Sequence, residues 1–309
     1  MNILDNVTQL IGNTPLIRID RFKEAHKVNS SMFGKLEMFN LTGSVKDRPA
    51  LFMIEAAEKQ GLLKKGGTII EATSGNTGIG LAAIGISKGY QVILTMPETM
   101  SKERQSLLKA YGAKIVLTSG KLGMKGSLDK AIELNNSIEG SFICSQFANQ
   151  NNPLAHYTTT GPEIWEAMDG DIDVFVAGVG TGGTISGVGR FLKEKNPNIK
   201  IIAVEPDKSA VLSGKKPGPH KLQGIGANFV PDNFDRSVVD EILQIDEESS
   251  FECMRDLSRY EGILAGITSG AALAATLKIS KRIEYKNKNI VIMFPDTGSR
   301  YLSTGLFEE

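Results

Sequence analysis

VFVAGVGTGGTISGVGRF, residues 174–191, decides the fold. Five residues of β-branched, aromatic and small apolar character lead into a glycine-rich turn, and a helical pattern follows at once. Such a strand, turn and helix start points successive backbone N–H groups at one anion, and Gly180, Gly182 and Gly183 let that backbone approach closely. The hydroxyls of Thr181 and Thr184 add donors, so a phosphate fits there.

Working outward, short apolar runs recur at TIIE (68–71), QVILT (91–95), KIVLT (114–118), KIIAVE (200–205) and NIVIMF (289–294), separated by helical patterns. RPALFMIEAAEKQG (48–61) spaces its apolar residues by three and four, with Pro49 near the first turn and Gly61 past the end. Strands apolar on both faces and joined by helices predict an α/β protein with mostly parallel sheets covered on both sides. Ligands of such sheets lie beyond the carboxyl ends of the strands. Three loops rich in Gly, Ser, Thr and Asn stand out there: ATSGNTG (72–78), GVGTGGT (178–184) and GITSGAA (266–272).

Bulk properties exclude several classes. Lys plus Arg and Asp plus Glu both number 35, so no net field recruits nucleic acid or an anionic membrane. The 41% hydrophobic and 23% charged content is that of a folded globular chain, and 309 residues suit two domains. No apolar run reaches the ~20 residues of a membrane span, and MNILDNVTQL lacks the layout of a signal peptide, so a cytoplasmic location is expected. Cys144 and Cys253 lie far apart, as do His26, His156 and His220, which argues against a disulfide framework or a metal centre. The Asn- and Gln-rich run SQFANQNNP (145–153) is the best candidate for a domain crossing.

The glycine turn has two readings. Gly178, Gly180 and Gly183 satisfy a dinucleotide G-x-G-x-x-G pattern, and Glu205 ends the next strand at a distance suited to a ribose. That reading leaves the other two polar loops without a task. A smaller phosphorylated cofactor gives them one.

NLTGSVKDR (40–48) sets Lys46 just before a helix. This motif resembles the lysine motif of the cysteine synthase family, fold-type II pyridoxal-phosphate enzymes that include O-acetylserine sulfhydrylases and cystathionine β-synthases. The likeness continues through IGNTPL (11–16), TSGNTG (73–78), MKG (124–126), SQFAN (145–149), HYTTTGPEIW (156–165), GTGGT (180–184), HKLQGIGA (220–227), GILAGITSGAA (262–272) and FPDTGSRYLS (294–303). It spans essentially the whole chain.

The resemblance implies two α/β domains with pyridoxal 5'-phosphate in the cleft between them, a smaller one over 47–150 and a larger one made of 1–46 and 151–309. It implies that Lys46 forms the Schiff base and then acts as base at the substrate Cα, a role that suits an amine whose pKa is lowered by partial desolvation. Asn76 would hold the ring's phenolic oxygen, Gly180, Thr181, Gly182, Gly183 and Thr184 its phosphate, and Thr268 its pyridine nitrogen. Thr73, Ser74, Thr77 and Gln146 would clamp the substrate carboxylate. The implied reaction is β-replacement on a small amino acid through an aminoacrylate, with cysteine synthesis from O-acetylserine and sulfide as the family default. Cystathionine formation, a homodimer, and docking of the C-terminal peptide of a serine acetyltransferase are further family expectations.

The chain departs from the family at three places. Leu41 and Thr42 replace the usual Pro and small residue before Gly43, and Thr268 replaces Ser. In GIGANFVPDNFD (224–235), Asn228 and Asp232 stand where glycines are common. Asp232 reads either as a solvated turn residue or as a base that activates water, so that L-cysteine gives L-serine and sulfide; a positioned base contributes about 10²–10⁴-fold.

Overall fold

A computed structural model describes residues 3–308. In chain order the regular elements begin with β1 (Leu16–Arg18), α1 (Asp20–Ala25), β2 (Ser31–Leu36), α2 (Asp47–Lys59), β3 (Thr68–Ala72) and α3 (Asn76–Ser87). They continue with β4 (Gln91–Pro97), α4 (Lys102–Ala110), β5 (Lys114–Thr118), α5 (Gly123–Ser137), β6 (Ser141–Ile143), α6 (Asn151–Ala155) and α7 (Gly161–Ala167). The last are β7 (Val174–Gly178), α8 (Gly183–Lys195), β8 (Lys200–Pro206), β9 (Glu241–Ile245), α9 (Glu247–Glu261), α10 (Ile267–Ser280) and β10 (Asn289–Phe294). No helix among the described residues is long and apolar enough to cross a membrane.

The chain forms two compact units, Met1–Ile11 with Lys46–Asn152, and Gly12–Val45 with Pro153–Glu309. The sequence reading, with the smaller domain at 47–150, assigns the N-terminal segment to the larger one. That assignment needs correcting, because the 3-10 turn Val7–Leu10 packs on α3. The crossing lies at 152/153, inside the predicted Asn-rich run.

The smaller unit holds an all-parallel sheet in the order β5-β4-β3-β6. Every residue of β3 is buried, as the apolar run predicts for a central strand covered on both faces. Ile70, Ala72, Ile93 and Ala131 form the core beneath α5. On the other face α3 is apolar almost all round, with nine residues buried from Thr77 to Gly85, and Gly85 is small because a Cβ there would lie 2.8 Å from Val92.

The larger unit holds a six-stranded sheet in the order β1-β2-β10-β7-β8-β9, parallel except for the edge pair β1–β2. The strand period of two sorts its core residues to opposite faces. Val174, Val176, Ile202, Val204, Ile290 and Ile292 join one cluster with Met254 and Leu257 of α9 and Ala271 of α10. Phe175, Ala177, Ile201, Ala203, Val291 and Met293 join the other with Ile164 of α7 and Val188 and Leu192 of α8.

α9 and α10 meet closely at Gly270, where a Cβ would fall 2.0 Å from the Ser250 carbonyl oxygen. Overpacking of this kind costs roughly 1–3 kcal/mol, more than the ~1 kcal/mol of helix propensity that alanine adds. Gly270→Ala is therefore expected to lower the calorimetric melting temperature by several degrees; an unchanged or higher value would contradict the packing argument.

Candidate active site

In the smaller unit the candidate residues gather at the carboxyl end of β3. Lys46 is the half-buried N-cap of α2, which has no side-chain cap hydrogen bond. α2 packs on α3 at Gly80, where a Cβ would stand 3.0 Å from Asp47 Oδ1 and 3.3 Å from the Lys46 carbonyl oxygen. The small residue thus lets the Lys46 backbone lie against the helix that follows the TSGNTG turn.

That turn runs from β3 into α3. Thr73 is buried, its hydroxyl accepts from the Gly75 N–H at 3.2 Å, and its own N–H donates to the Thr95 carbonyl at 3.1 Å. Ser74 and Asn76 are half-buried. α3 starts at Asn76 with Gly75 as N-cap, no side-chain cap and no acid in its first turn. A helix start suits a carboxylate, and the glycine N-cap here has no side chain of its own to accept from the first turn. By contrast α4 and α9 are closed by Ser101 and Asp246, each accepting a hydrogen bond from the first turn.

Gln146 reaches the same place from the loop after β6. Thr77 Oγ1 donates to Gln146 Oε1 at 2.6 Å, so two of the expected carboxylate-clamping residues are directly bonded. Beneath them lies Glu71, at the end of β3 and 4% exposed. Its carboxyl accepts from the N–H of Ser145 at 2.9 Å and of Gln146 at 3.4 Å. Burial pushes Glu71 up to about 7, against these hydrogen bonds, which pull it down. Ser145 holds the left-handed backbone, φ 54°, uncommon for a residue with a Cβ. Asn152 Nδ2 donates to the Gln146 carbonyl at 2.8 Å and Asn149 Nδ2 to that of Cys144 at 2.9 Å, fixing the rest of the loop. Cys144 is fully buried, and burial, then the charge of Glu71, raises its thiol well above the usual range. Burial likewise pushes Cys253, in the other unit, up to about 12.

In the larger unit the glycine turn joins β7 to α8. Gly182 is the N-cap, left-handed at φ 83°, again with no side-chain cap. A Cβ on Gly180 would meet the Gly224 carbonyl oxygen at 2.3 Å, and one on Gly182 the Phe234 nitrogen at 2.8 Å. Only glycine fits either place. Thr181 is buried and Thr184 half-buried. His156, itself buried, lies with Nε2 3.2 Å from Thr184 Oγ1 and Nδ1 2.9 Å from Thr160 Oγ1, so it orients the Thr184 hydroxyl. The start of a 13-residue helix, three glycines and two threonines suits a phosphate, the anchor that pyridoxal phosphate offers.

Thr268, in the first turn of α10, donates to the Gln223 carbonyl at 3.1 Å. Its methyl group is accommodated because residue 178 is glycine; a Cβ there would be 2.6 Å from Thr268 Cγ2. Asp232 is exposed, on the turn closed by the Phe234 N–H donating to the Pro231 carbonyl at 3.0 Å, so it stands two residues from the backbone that abuts Gly182. Asn228 is left-handed at φ 66°, which accounts for glycine as the common residue, and its Oδ1 accepts from Ser209 at 2.7 Å. Glu205, the would-be ribose ligand, is buried and accepts from the N–H groups of Leu212 and Ser213 at 2.8 and 3.1 Å, which removes the dinucleotide reading.

Comparisons with known proteins identify the family. A model of the pyridoxal-phosphate dependent enzyme family matches residues 7–296. Cysteine synthases of Staphylococcus aureus strains Mu50 and N315 are 50% identical over 305 residues, 98% of this chain and 97% of theirs. The crystal structure of cysteine synthase from Entamoeba histolytica superposes with TM-score 0.96 at 45% identity, covering 100% of this chain and 92% of that one. That of a hydrogen sulfide-producing enzyme from Fusobacterium nucleatum superposes with TM-score 0.91 at 47% identity, covering 97% and 100%. The chain belongs to the pyridoxal-phosphate-dependent enzyme family, and within it is an enzyme of the cysteine synthase type.

Sequence reasoning missed Glu71 and gave His156 no role. A lone acid ending an apolar strand, one residue before a polar loop, was the available signal for the first. The second lay in a quoted motif, but its partner Thr184 is 28 residues away.

Two outcomes are expected. Gly182→Ala strains a left-handed residue and pushes against Phe234, so its affinity for pyridoxal phosphate, titrated by fluorescence, should fall at least about tenfold. Glu71 titrates near 7 when folded against 4.5 when unfolded, so its contribution to stability is complete below pH 4.5 and is lost as pH rises through 7. The shift corresponds to roughly 3 kcal/mol. Unfolding measured across that window should show wild type losing stability relative to Glu71→Gln, and parallel pH profiles would refute the assignment.

Proposed function

We propose that the protein catalyses β-replacement on a small L-amino acid with sulfide as the group exchanged, in the direction of L-cysteine from O-acetyl-L-serine and sulfide. The observation that carries this reading is the glycine-capped start of α3, with Thr73, Ser74 and the Thr77–Gln146 pair around it and Lys46 on the helix packed against it. It presents an amino acid's carboxylate with donors and its Cα with an amine.

Pyridoxal phosphate, when bound, supplies an electron sink for negative charge at that Cα. Lys46 carries the cofactor, takes the Cα proton and returns it. Asn76 serves the ring's phenolic oxygen. The N–H groups of residues 180–184 and the hydroxyls of Thr181 and Thr184 hold the phosphate. Thr268 would turn its hydroxyl from the Gln223 carbonyl to the ring nitrogen, and a neutral hydroxyl does not keep that nitrogen protonated as a carboxylate would, which favours prompt loss of the β-substituent. The carboxylate-binding turn would also receive the C-terminal carboxylate of a serine acetyltransferase peptide, in competition with the amino acid, and we take the working form to be a homodimer.

A second reading, release of sulfide from L-cysteine with water as the entering group, is favoured by the exposure of Asp232 on the turn beside the phosphate loop and by the likeness to a hydrogen sulfide-producing enzyme. There Asp232 takes the proton of the attacking water, and L-serine is the product.

One preparation given O-acetylserine plus sulfide, and separately L-cysteine in oxygen-18 water, tests both. Cysteine formation is expected to be the faster. Under the second reading labelled serine also appears, and Asp232→Asn slows its formation about 10²-fold while sparing cysteine synthesis. Absence of labelled serine, or its undiminished formation by the variant, removes the role of Asp232. Failure of both reactions with cofactor loaded removes β-replacement itself.

A further inference from the structure

α8 turns one face to the stretch of chain that follows Asp232. Residues three or four apart on a helix share a side, and Gly182, Ser186, Gly189 and Arg190 have that spacing. Each meets a residue of 234–238. A Cβ on Gly182 would stand 2.8 Å from the Phe234 nitrogen, and one on Gly189 would stand 3.1 Å from Val238. Between them Ser186 Oγ accepts from the Asp235 N–H at 2.8 Å, and Arg190 lies 3.4 Å from Asp235 Oδ2. Phe234 and Val238 also pack against the core cluster that holds Ile185 and Val188 of the same helix.

Asp235 is the centre of this contact. Its N–H goes to Ser186, one carboxylate oxygen faces Arg190, and the other accepts from the Ser237 N–H at 3.0 Å, capping the 3-10 turn Arg236–Val238. Ser186 is 1% exposed and stands on a regular helix, so its hydroxyl is a fixed point for the chain that bonds to it. Three residues before Asp235, Asp232 is exposed on the tight turn in which the Phe234 N–H donates to the Pro231 carbonyl at 3.0 Å. One acid is thus tied down on three sides while the other is offered to solvent from the adjoining turn. The helix that ties it is the one whose first turn is read as the phosphate site.

We propose that Ser186 is a positioning residue for Asp232: with Arg190 it fixes Asp235 on α8, holds the Asp232 turn at a set place beside the phosphate loop, and so sets how well water competes with sulfide. The inference rests on the second reading above, in which Asp232 takes a proton from water. A base must stand within hydrogen-bond reach of the proton it takes, and a displacement of about 1 Å costs up to about 10²-fold in rate.

The test uses holoenzyme given L-cysteine in oxygen-18 water and, separately, O-acetylserine plus sulfide. Ser186→Ala removes the acceptor for the Asp235 N–H. It is expected to slow formation of labelled serine about tenfold while cysteine synthesis changes less than about twofold. On the Asp232→Asn background the same substitution should lower serine formation no further, since the two residues act through one group. Amide hydrogen exchange, which needs no turnover, is expected to quicken at residues 231–235 in Ser186→Ala. An equal fall in both reactions, a fall that persists on the Asp232→Asn background, or unchanged exchange at 231–235 would each overturn the proposal while wild type still makes labelled serine. No labelled serine from wild type would instead sink the reading of Asp232, and the proposal with it.

Discussion

The first backbone N–H groups of a helix have no partner within it, and a parallel β/α fold delivers such helix starts to the carboxyl ends of its strands. In this protein α3, α8 and α10 begin there after β3, after β7 and beside the end of β10, with glycine N-caps, no side-chain cap and no acid in the first turn. The surface helices α4 and α9 close themselves with Ser101 and Asp246. The contrast separates helices closed by their own N-cap side chain from those begun by a glycine. The proposed phosphate and carboxylate sites both lie at starts of the second kind, α8 and α3.

The glycines are the second half of the same constraint. Backbone N–H groups serve an anion only if the loops behind them pack closely, and Gly180 and Gly182 lie where a Cβ would run into Gly224 and Phe234. Gly178 and Gly224 do the same around Thr268, which explains how threonine replaces serine there without displacing the helix. At the other departures, the Thr42 carbonyl accepts from Arg300, and Val45 N–H donates to the Pro295 carbonyl at 2.7 Å, so the loop before Lys46 stays tied to the end of β10 despite Leu41 and Thr42.

All six apolar runs read from the sequence are strands; five are central parallel strands that bury both faces and announce themselves by composition, while β5 is a sheet edge with no buried residue. β2 escaped notice because Gly34 and Lys35 interrupt it. Gly34 makes room for the Phe294 ring, and Lys35, 1% exposed, pairs with Glu163 at 2.6 Å, a contact 128 residues away that no local pattern reveals. β1 and β6 are three residues each, too short for a periodicity. The polar turns after β3 and β7 and at the start of α10 were legible as motifs because each pattern is local in sequence. Glu71 and His156 were not, since their parts depend on loops that meet them only in the folded chain.

The two cysteines acquire a meaning in this family that their packing alone does not suggest. Thiol–disulfide exchange and persulfide formation proceed through the thiolate, and a thiol raised far above neutral pH supplies almost none. Cys144 and Cys253 are both buried and both raised, Cys253 to about 12. Burial thus shields both thiols from exchange with small thiols in solution and holds them in the protonated, unreactive form.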